Sequence, residues 1–160
     1  MAARKIIYIE TSIPSALVDA RDDVTSRFQQ QQTRLWWEHF ASQYLIVSSD
    51  VVLAELNRTA FPRREEAVHL VQTLPLLPLT EEVIGVAKVY QEHLVMPNDT
   101  LGDAVHVALA CVHEVDYLLT WNCRHLANPN KTQHLQVINL RLGLLTPALL
   151  TPPMLMQEER

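Results

Sequence analysis

Glycine is nearly absent from this sequence: three in 160 residues, at Gly85, Gly102 and Gly143. Loops that cradle phosphate on backbone N–H groups need glycine in the first turn of a βα unit. Neither GxGxxG nor GxxxxGK[ST] occurs, which disfavours dinucleotide-binding and P-loop chemistry. Cysteine is as sparse. Cys111 and Cys123 form no CxxC and no zinc-finger spacing, the pattern of free thiols in a reducing compartment. No stretch approaches ~20 uninterrupted apolar residues, and the opening MAARKIIYIETS has too short an apolar run for a signal peptide. The expectation is a soluble, cytoplasmic protein with no membrane contact. Seven histidines show no HxH and no HExxH, and no GxSxG supports a serine nucleophile.

Positive charge is also in short supply. Thirteen Lys plus Arg against eighteen Asp plus Glu give a net charge of −5 and a pI near 5.8, so the overall field repels polyanions. A nucleic-acid partner would need a local basic patch or bound metal ions. What the chain does have is apolar surface, at 48% hydrophobic residues, and a length that buries roughly two-thirds of the unfolded surface in one domain.

Short β-rich apolar runs punctuate the chain. Residues 5–9 (KIIYI), 44–47 (YLIV), 117–120 (YLLT) and 135–139 (LQVIN) read as strands, with 76–79 as a short edge strand or connector. Between them lie helical patterns: a short helix near Pro14, an amphipathic stretch over 22–42, a helix after the cap residues Ser48, Ser49 and Asp50, another over 63–74, one from Thr80 to about residue 95, and a strongly apolar one over 100–113. A turn is expected at 97–99. There is no internal repeat and no linker. Strands alternating with helices predict an α/β, three-layer sandwich with a mostly parallel central sheet. The predicted domain covers 1–145, and residues 146–160, with Pro147, Pro152 and Pro153, read as an extended tail. Of the adjacent Trp36 and Trp37, one ring should face the core and the other a partner or dimer surface.

In an open parallel sheet, ligands bind beyond the carboxyl ends of the strands. Glu10, Thr11 and Ser12 follow the first strand; Glu55 lies on the helix after the second; Asn122 follows the 117–120 strand; Asp103 opens the helix before it. Three carboxylates and an amide suit a hard cation such as Mg²⁺ or Mn²⁺. Each also has a plainer reading. Asp103 fits a capping box with Thr100, Glu55 pairs with Arg58 at i+3, Glu10 is a solvent-facing strand end, and Asn122 is a turn residue. On a helical wheel, Leu101, Val105, Ala108, Leu109 and Val112 form a core stripe with Asp103 and His106 opposite. Because Val107, Ala110 and Cys111 make the second side apolar too, Asp103 and His106 should be sheltered. A histidine satisfied within its helix is the plainer reading of His106.

Four segments taken in order, IYIETSIPS at 7–15, VLAEL at 52–56, GDAVHVALA at 102–110 and LLTWNCRHLAN at 118–128, resemble PIN-domain proteins, in particular the VapC-type toxins of bacterial toxin–antitoxin pairs. The resemblance implies a metal-dependent endoribonuclease acting through Mg²⁺ or Mn²⁺, with Glu10, Glu55 and Asp103 as catalytic and metal-binding acids and Asn122 at a fourth metal position. Thr11, Ser12 and His106 would be supporting groups. It also implies an RNA substrate, a small antitoxin protein as partner and a homodimer. Arg58, Arg63, Arg64, Arg124 and Lys131 are the nearest candidates for RNA contacts. Two departures stand out: Glu10 where many PIN domains carry Asp, and a neutral Asn122 where the fuller pattern has an acid. A catalytically weak PIN-like RNA-binding or scaffold protein, and a metal-dependent phosphatase, are the competing expectations.

Overall fold

The computed structural model describes residues 3–93 and 101–158. Five strands form the sheet: β1 (Ile6–Ile9), β2 (Leu45–Ser49), β3 (Leu76–Leu77), β4 (Tyr117–Leu119) and β5 (Ala148–Leu150). Their order is β3-β2-β1-β4-β5, and every pairing is parallel. The apolar runs are continuous because the sheet is covered on both faces. Alternate residues divide between two cores: Tyr8, Val47 and Leu118 point to one, and Ile7, Ile9, Ile46 and Leu119 to the other.

The first core is closed by α3 (Asp50–Arg58), α4 (Arg64–Gln72), α5 (Glu81–Glu92), α6 (Leu101–Val112) and α7 (Pro129–Leu142). The second core lies under α1 (Ser12–Leu17), α2 (Val24–His39) and α8 (Pro152–Glu158). Trp36 is fully buried there, with its ring beside the half-buried Trp37. The three-layer α/β architecture is thus the one expected, and the sheet is parallel throughout the described residues.

Two expectations for the C-terminal part are corrected. Residues 135–139 do not form a strand; they lie inside α7, where Leu135, Ile138 and Asn139 are buried at the i, i+3, i+4 spacing of a helix. The punctuation is also helical: the Asn128 side chain accepts from Asn130 N–H, Pro129 opens the helix, and Gly143 closes it with φ of 72°. Asn139 tolerates burial because Tyr90 O–H donates to its Oδ1 at 2.6 Å and its amide donates to Thr146 Oγ1 at 2.9 Å.

Nor is 146–160 an extended tail. Ala148–Leu150 is the edge strand beside β4, and α8 buries Leu155 and Met156 in the second core. Pro152 and Pro153 begin this helix, since a first-turn residue needs no N–H partner. The predicted turn at 97–99, and the Thr100 cap, lie outside the described residues.

Candidate functional site

β1, β2 and β4 run side by side and end together, so whatever follows them converges at one edge of the sheet. Glu10 continues the ladder after β1, donating its N–H to Leu119 O at 3.3 Å. It is only 5% exposed. Three donors meet on one of its oxygens: Ser12 N–H at 2.9 Å, Ser12 O–H, and Thr120 O–H at 2.8 Å all reach Oε1. They orient the carboxyl and leave Oε2 to other partners. Burial pushes its pKa up to about 7, against the opposing pull of His106 and these hydrogen bonds.

Glu55 comes from α3, which starts directly after β2 because the Ser49 hydroxyl caps it, accepting from Val52 N–H at 3.4 Å. Thr11 O–H donates to Glu55 Oε1 at 3.1 Å, and His106 Nε2 bonds to the same oxygen. Burial acts to raise Glu55, but the bond and charge of His106, with help from Thr11 and Arg58, leave it below its ordinary value.

His106 is 1% exposed. Its other nitrogen, Nδ1, lies 2.7 Å from Tyr8 Oη, which is 2.7 Å from Ser49 Oγ. A buried chain of hydrogen bonds therefore runs Ser49, Tyr8, His106, Glu55. Burial works against the charged imidazole, yet Glu55, Glu10 and Asp103 together raise its pKa. His106 is thus the shared neighbour of all three carboxylates, and its interaction with each acts to lower their pKa values. The expected core stripe of α6 is corrected: Val105 and Val112 are only half-buried, while its deepest residues are Ala104, His106, Val107, Ala108, Leu109, Ala110 and Cys111.

Asp103 stands one helical turn before His106 on α6. Burial raises its pKa, with His106 and His125 acting in the opposite direction. Asn122 Nδ2 sits 3.4 Å from each Asp103 oxygen, while Asn122 Oδ1 accepts from His125 N–H at 3.0 Å. Asn122 therefore presents a donor to Asp103, and its oxygen is used in closing the turn after β4. Asp116, the acid before β4, accepts from Ile6 N–H at 2.8 Å at the opposite end of the strands, so it does not supply the missing charge; Asp99 lies outside the described residues.

The candidate RNA cations fall on two segments. Arg58, Arg63 and Arg64 lie at the α3–α4 corner, and Arg124 and Lys131 follow β4. Arg63, in the left-handed region with φ of 63°, is paired with Glu66 at 2.6 Å, and Arg64 reaches Thr59 O at 3.4 Å.

Several contributors escaped the sequence reading. Tyr8 was hidden in an apolar strand, and its hydroxyl was the only clue. Thr120 is the polar end of β4. His125 lies in the same turn as Asn122, and its Nδ1 is buried with no hydrogen-bond partner among the described residues. Gly102 was read only as part of a motif. A Cβ placed there would lie 3.3 Å from Glu55 Oε2, so the missing methyl is what lets α6 approach this carboxylate.

The donor set of three carboxylates fits a hard divalent cation, and the bare Gly102 leaves room beside Glu55 Oε2. Among the described residues no three His, Cys, Asp or Glu side chains are already gathered in a metal-holding group. Gly102→Ala tests this space. Relief of the glycine entropy in a helix favours the variant by up to about 1 kcal/mol, so thermal unfolding should show unchanged or higher stability. Calorimetry should show weaker Mn²⁺ binding, because Glu55 must shift; unaltered Mn²⁺ affinity would mean that Gly102 does not matter to the carboxylate.

No protein-family model and no curated protein matches the chain. Among solved structures it is similar to Mycobacterium tuberculosis VapC20, described as a sarcin-ricin loop cleaving toxin, with 19% sequence identity and a TM-score of 0.56 over 74% of this chain and 92% of that one. The likeness establishes the fold: the chain has the PIN-like α/β architecture that its four segments led us to expect.

Proposed function

We propose that this chain is a metal-dependent endoribonuclease of the VapC type, the toxin of a toxin–antitoxin pair held in check by a small antitoxin protein. The observation that carries the reading is the convergence of Glu10, Glu55 and Asp103, from three separate segments, around the buried His106 at the carboxyl edge of a PIN-like sheet. The similar toxin's action on RNA supports the choice of substrate class. Glu10, Glu55 and Asp103 would hold Mg²⁺ or Mn²⁺, which when bound supplies Lewis-acid charge for phosphodiester hydrolysis.

The chain's own residues prepare the site. Ser12 and Thr120 fix the rotation of Glu10 through Oε1. Thr11 and His106 do the same for Glu55. Tyr8 sets the ring orientation of His106, and Asn122 steadies Asp103 from the opposite side. Both Glu10 and Glu55 thus have one oxygen engaged by protein donors and one left over for a cation, which would draw the carboxylates together on binding. Arg58, Arg124 and Lys131 would meet the substrate's phosphates.

The test is incubation of single-stranded and structured RNA, beside small phosphate monoesters, with Mg²⁺, with Mn²⁺ and with EDTA. Endonucleolytic cleavage that EDTA abolishes is the expected result. Turnover of the esters with RNA left intact would make the protein a phosphatase, and no turnover of either would make it a binding protein. The neutral Asn122 favours that last alternative and gives its own prediction. Asn122→Asp keeps an acceptor for His125 N–H but sets a like charge 3.4 Å from Asp103. The metal-free variant should melt below wild type, and Mn²⁺ affinity by calorimetry should rise on the order of tenfold, since added ligand charge tightens such sites. Unchanged affinity would remove residue 122 from the metal's surroundings.

A further inference from the structure

We propose that Phe28 and Trp121 form a stacking subsite for an unpaired nucleobase of the RNA substrate, at the rim of the acid cluster; this rests on the ribonuclease reading. In a parallel α/β sheet the helix between two strands runs back antiparallel to them, so the first turns of α2 lie at the carboxyl edge, where the acids converge. Val24 and Phe28, one turn apart, are 86% and 49% exposed there. Exposed apolar side chains are common on this surface; what singles out Phe28 is the aromatic partner it has beside the site.

Trp121 joins them to the site by two routes. It is the covalent neighbour of Asn122, and its N–H donates to Ser12 Oγ at 2.8 Å, the same hydroxyl that grips Glu10. Its indole N–H donates to the buried Thr33 Oγ1 at 2.8 Å, which fixes the ring against α2. The Phe28 ring stands nearly edge-on to it, 6.1 Å between centroids at 70°. A fixed indole with a half-exposed phenyl beside it is a rigid aromatic corner, and every base has a π-face to lay against one.

The charge balance selects a base as the occupant. At −5 overall, with three carboxylates at the centre, the protein repels a phosphate backbone, whereas stacking is indifferent to that field. The exposed Arg27, loosely paired with the exposed Asp22 at 3.7 Å, adjoins Phe28 in sequence, and the exposed Arg124 lies three residues beyond Trp121. They are the nearest cations in sequence for the neighbouring phosphates.

The test is fluorescence anisotropy of a labelled single-stranded RNA 12-mer, and of an abasic oligomer of the same length, with the intact protein in EDTA so that binding is read without cleavage. Phe28→Ala should weaken RNA binding about tenfold, in line with the loss of one stacked base, and change binding of the abasic oligomer less than about twofold. Phe28→Leu, which keeps an apolar side chain without a π-face, should behave like Ala, and Phe28→Trp should restore affinity. RNA should also quench tryptophan fluorescence, and Trp121→Leu should remove most of the quench. Equal RNA binding by wild type, Phe28→Ala and Phe28→Leu overturns the subsite, as does an equal loss for the abasic oligomer or no binding of either oligomer. Mn²⁺-dependent cleavage by a protein whose Phe28 variants bind normally overturns the subsite alone. Base-dependent, Phe28-dependent binding without cleavage supports the subsite and overturns the ribonuclease reading.

Discussion

Asp103→Asn should leave a folded protein that binds RNA but no longer cuts it. The substitution preserves shape and removes one of only three negative charges. Because Asn122 is neutral, no fourth acid among the described residues stands by to share the loss. Partners that act on a metal site only through its ligands typically cost 10–100-fold when removed, so loss of a direct carboxylate should lower cleavage by more than about 100-fold. Calorimetry should show no Mn²⁺ heat at millimolar metal. Stability should not suffer: burial already raises the pKa of Asp103, which means that its ionised form is disfavoured in the folded chain, and a neutral amide relieves this. Cleavage within threefold of wild type, at equal protein and metal, would remove Asp103 from the reaction and with it the functional reading. Retained RNA binding is part of the expectation, because the aromatic corner and the arginines around it do not depend on this carboxylate.

Why some of this was legible in the sequence and some was not follows from the range of each signal. The strands at 6–9, 45–49 and 117–119 announced themselves by apolar runs ending in polar residues, and those ends border the candidate site; Glu10, Glu55, Asp103 and Asn122 are candidates from that rule and from their segments. The 135–139 run failed because Leu135, Val137 and Ile138 satisfy a strand pattern over five residues and a helix over fourteen. The Asn-Pro start and Gly143 stop were the deciding marks, and they lie outside the short window. The last strand and helix were hidden by proline, read as a breaker where it serves as a helix opener. Contacts across the sheet leave no local trace at all. Nothing near Tyr8 in sequence shows that its hydroxyl meets His106, 98 positions away, and nothing near Gly102 shows that Glu55 lies against it.

His106 was visible as a sheltered histidine, but its role emerges only in three dimensions. It lies among acids whose charges raise its pKa against the effect of burial, and that raised pKa and the lowered pKa of Glu55 are two views of one contact. The low glycine count that disfavoured backbone phosphate cradles fits the proposed reading, in which phosphate chemistry would rest on side chains at strand ends, and Gly102 leaves room for a carboxylate.

Glu10→Gln should stabilise the metal-free protein at alkaline pH while abolishing cleavage. Glu10 is buried, and its folded pKa of about 7 lies above its ordinary value of 4.5. The sign follows directly. A raised folded pKa means that the protonated form is favoured by folding, so its contribution is fully present below pH 4.5, declines as pH rises through 7, and is absent above that. At 1.36 kcal/mol per unit, the ionised carboxylate costs the folded state about 3 kcal/mol at pH 8 relative to pH 4.5. Glutamine never ionises, and its amide oxygen can still accept from Ser12 and Thr120. The stability difference between variant and wild type should therefore be near zero at pH 4.5 and grow to about 3 kcal/mol in favour of the variant at pH 8, or about 6–12 °C in Tm. Urea unfolding in EDTA at pH 4.5, 6 and 8 measures it, and a difference that stays flat across this range would show that burial does not set the charge state of Glu10. Mn²⁺ should narrow the gap at pH 8 by stabilising wild type alone, since an ion that binds only the folded carboxylate cluster adds to its stability by mass action.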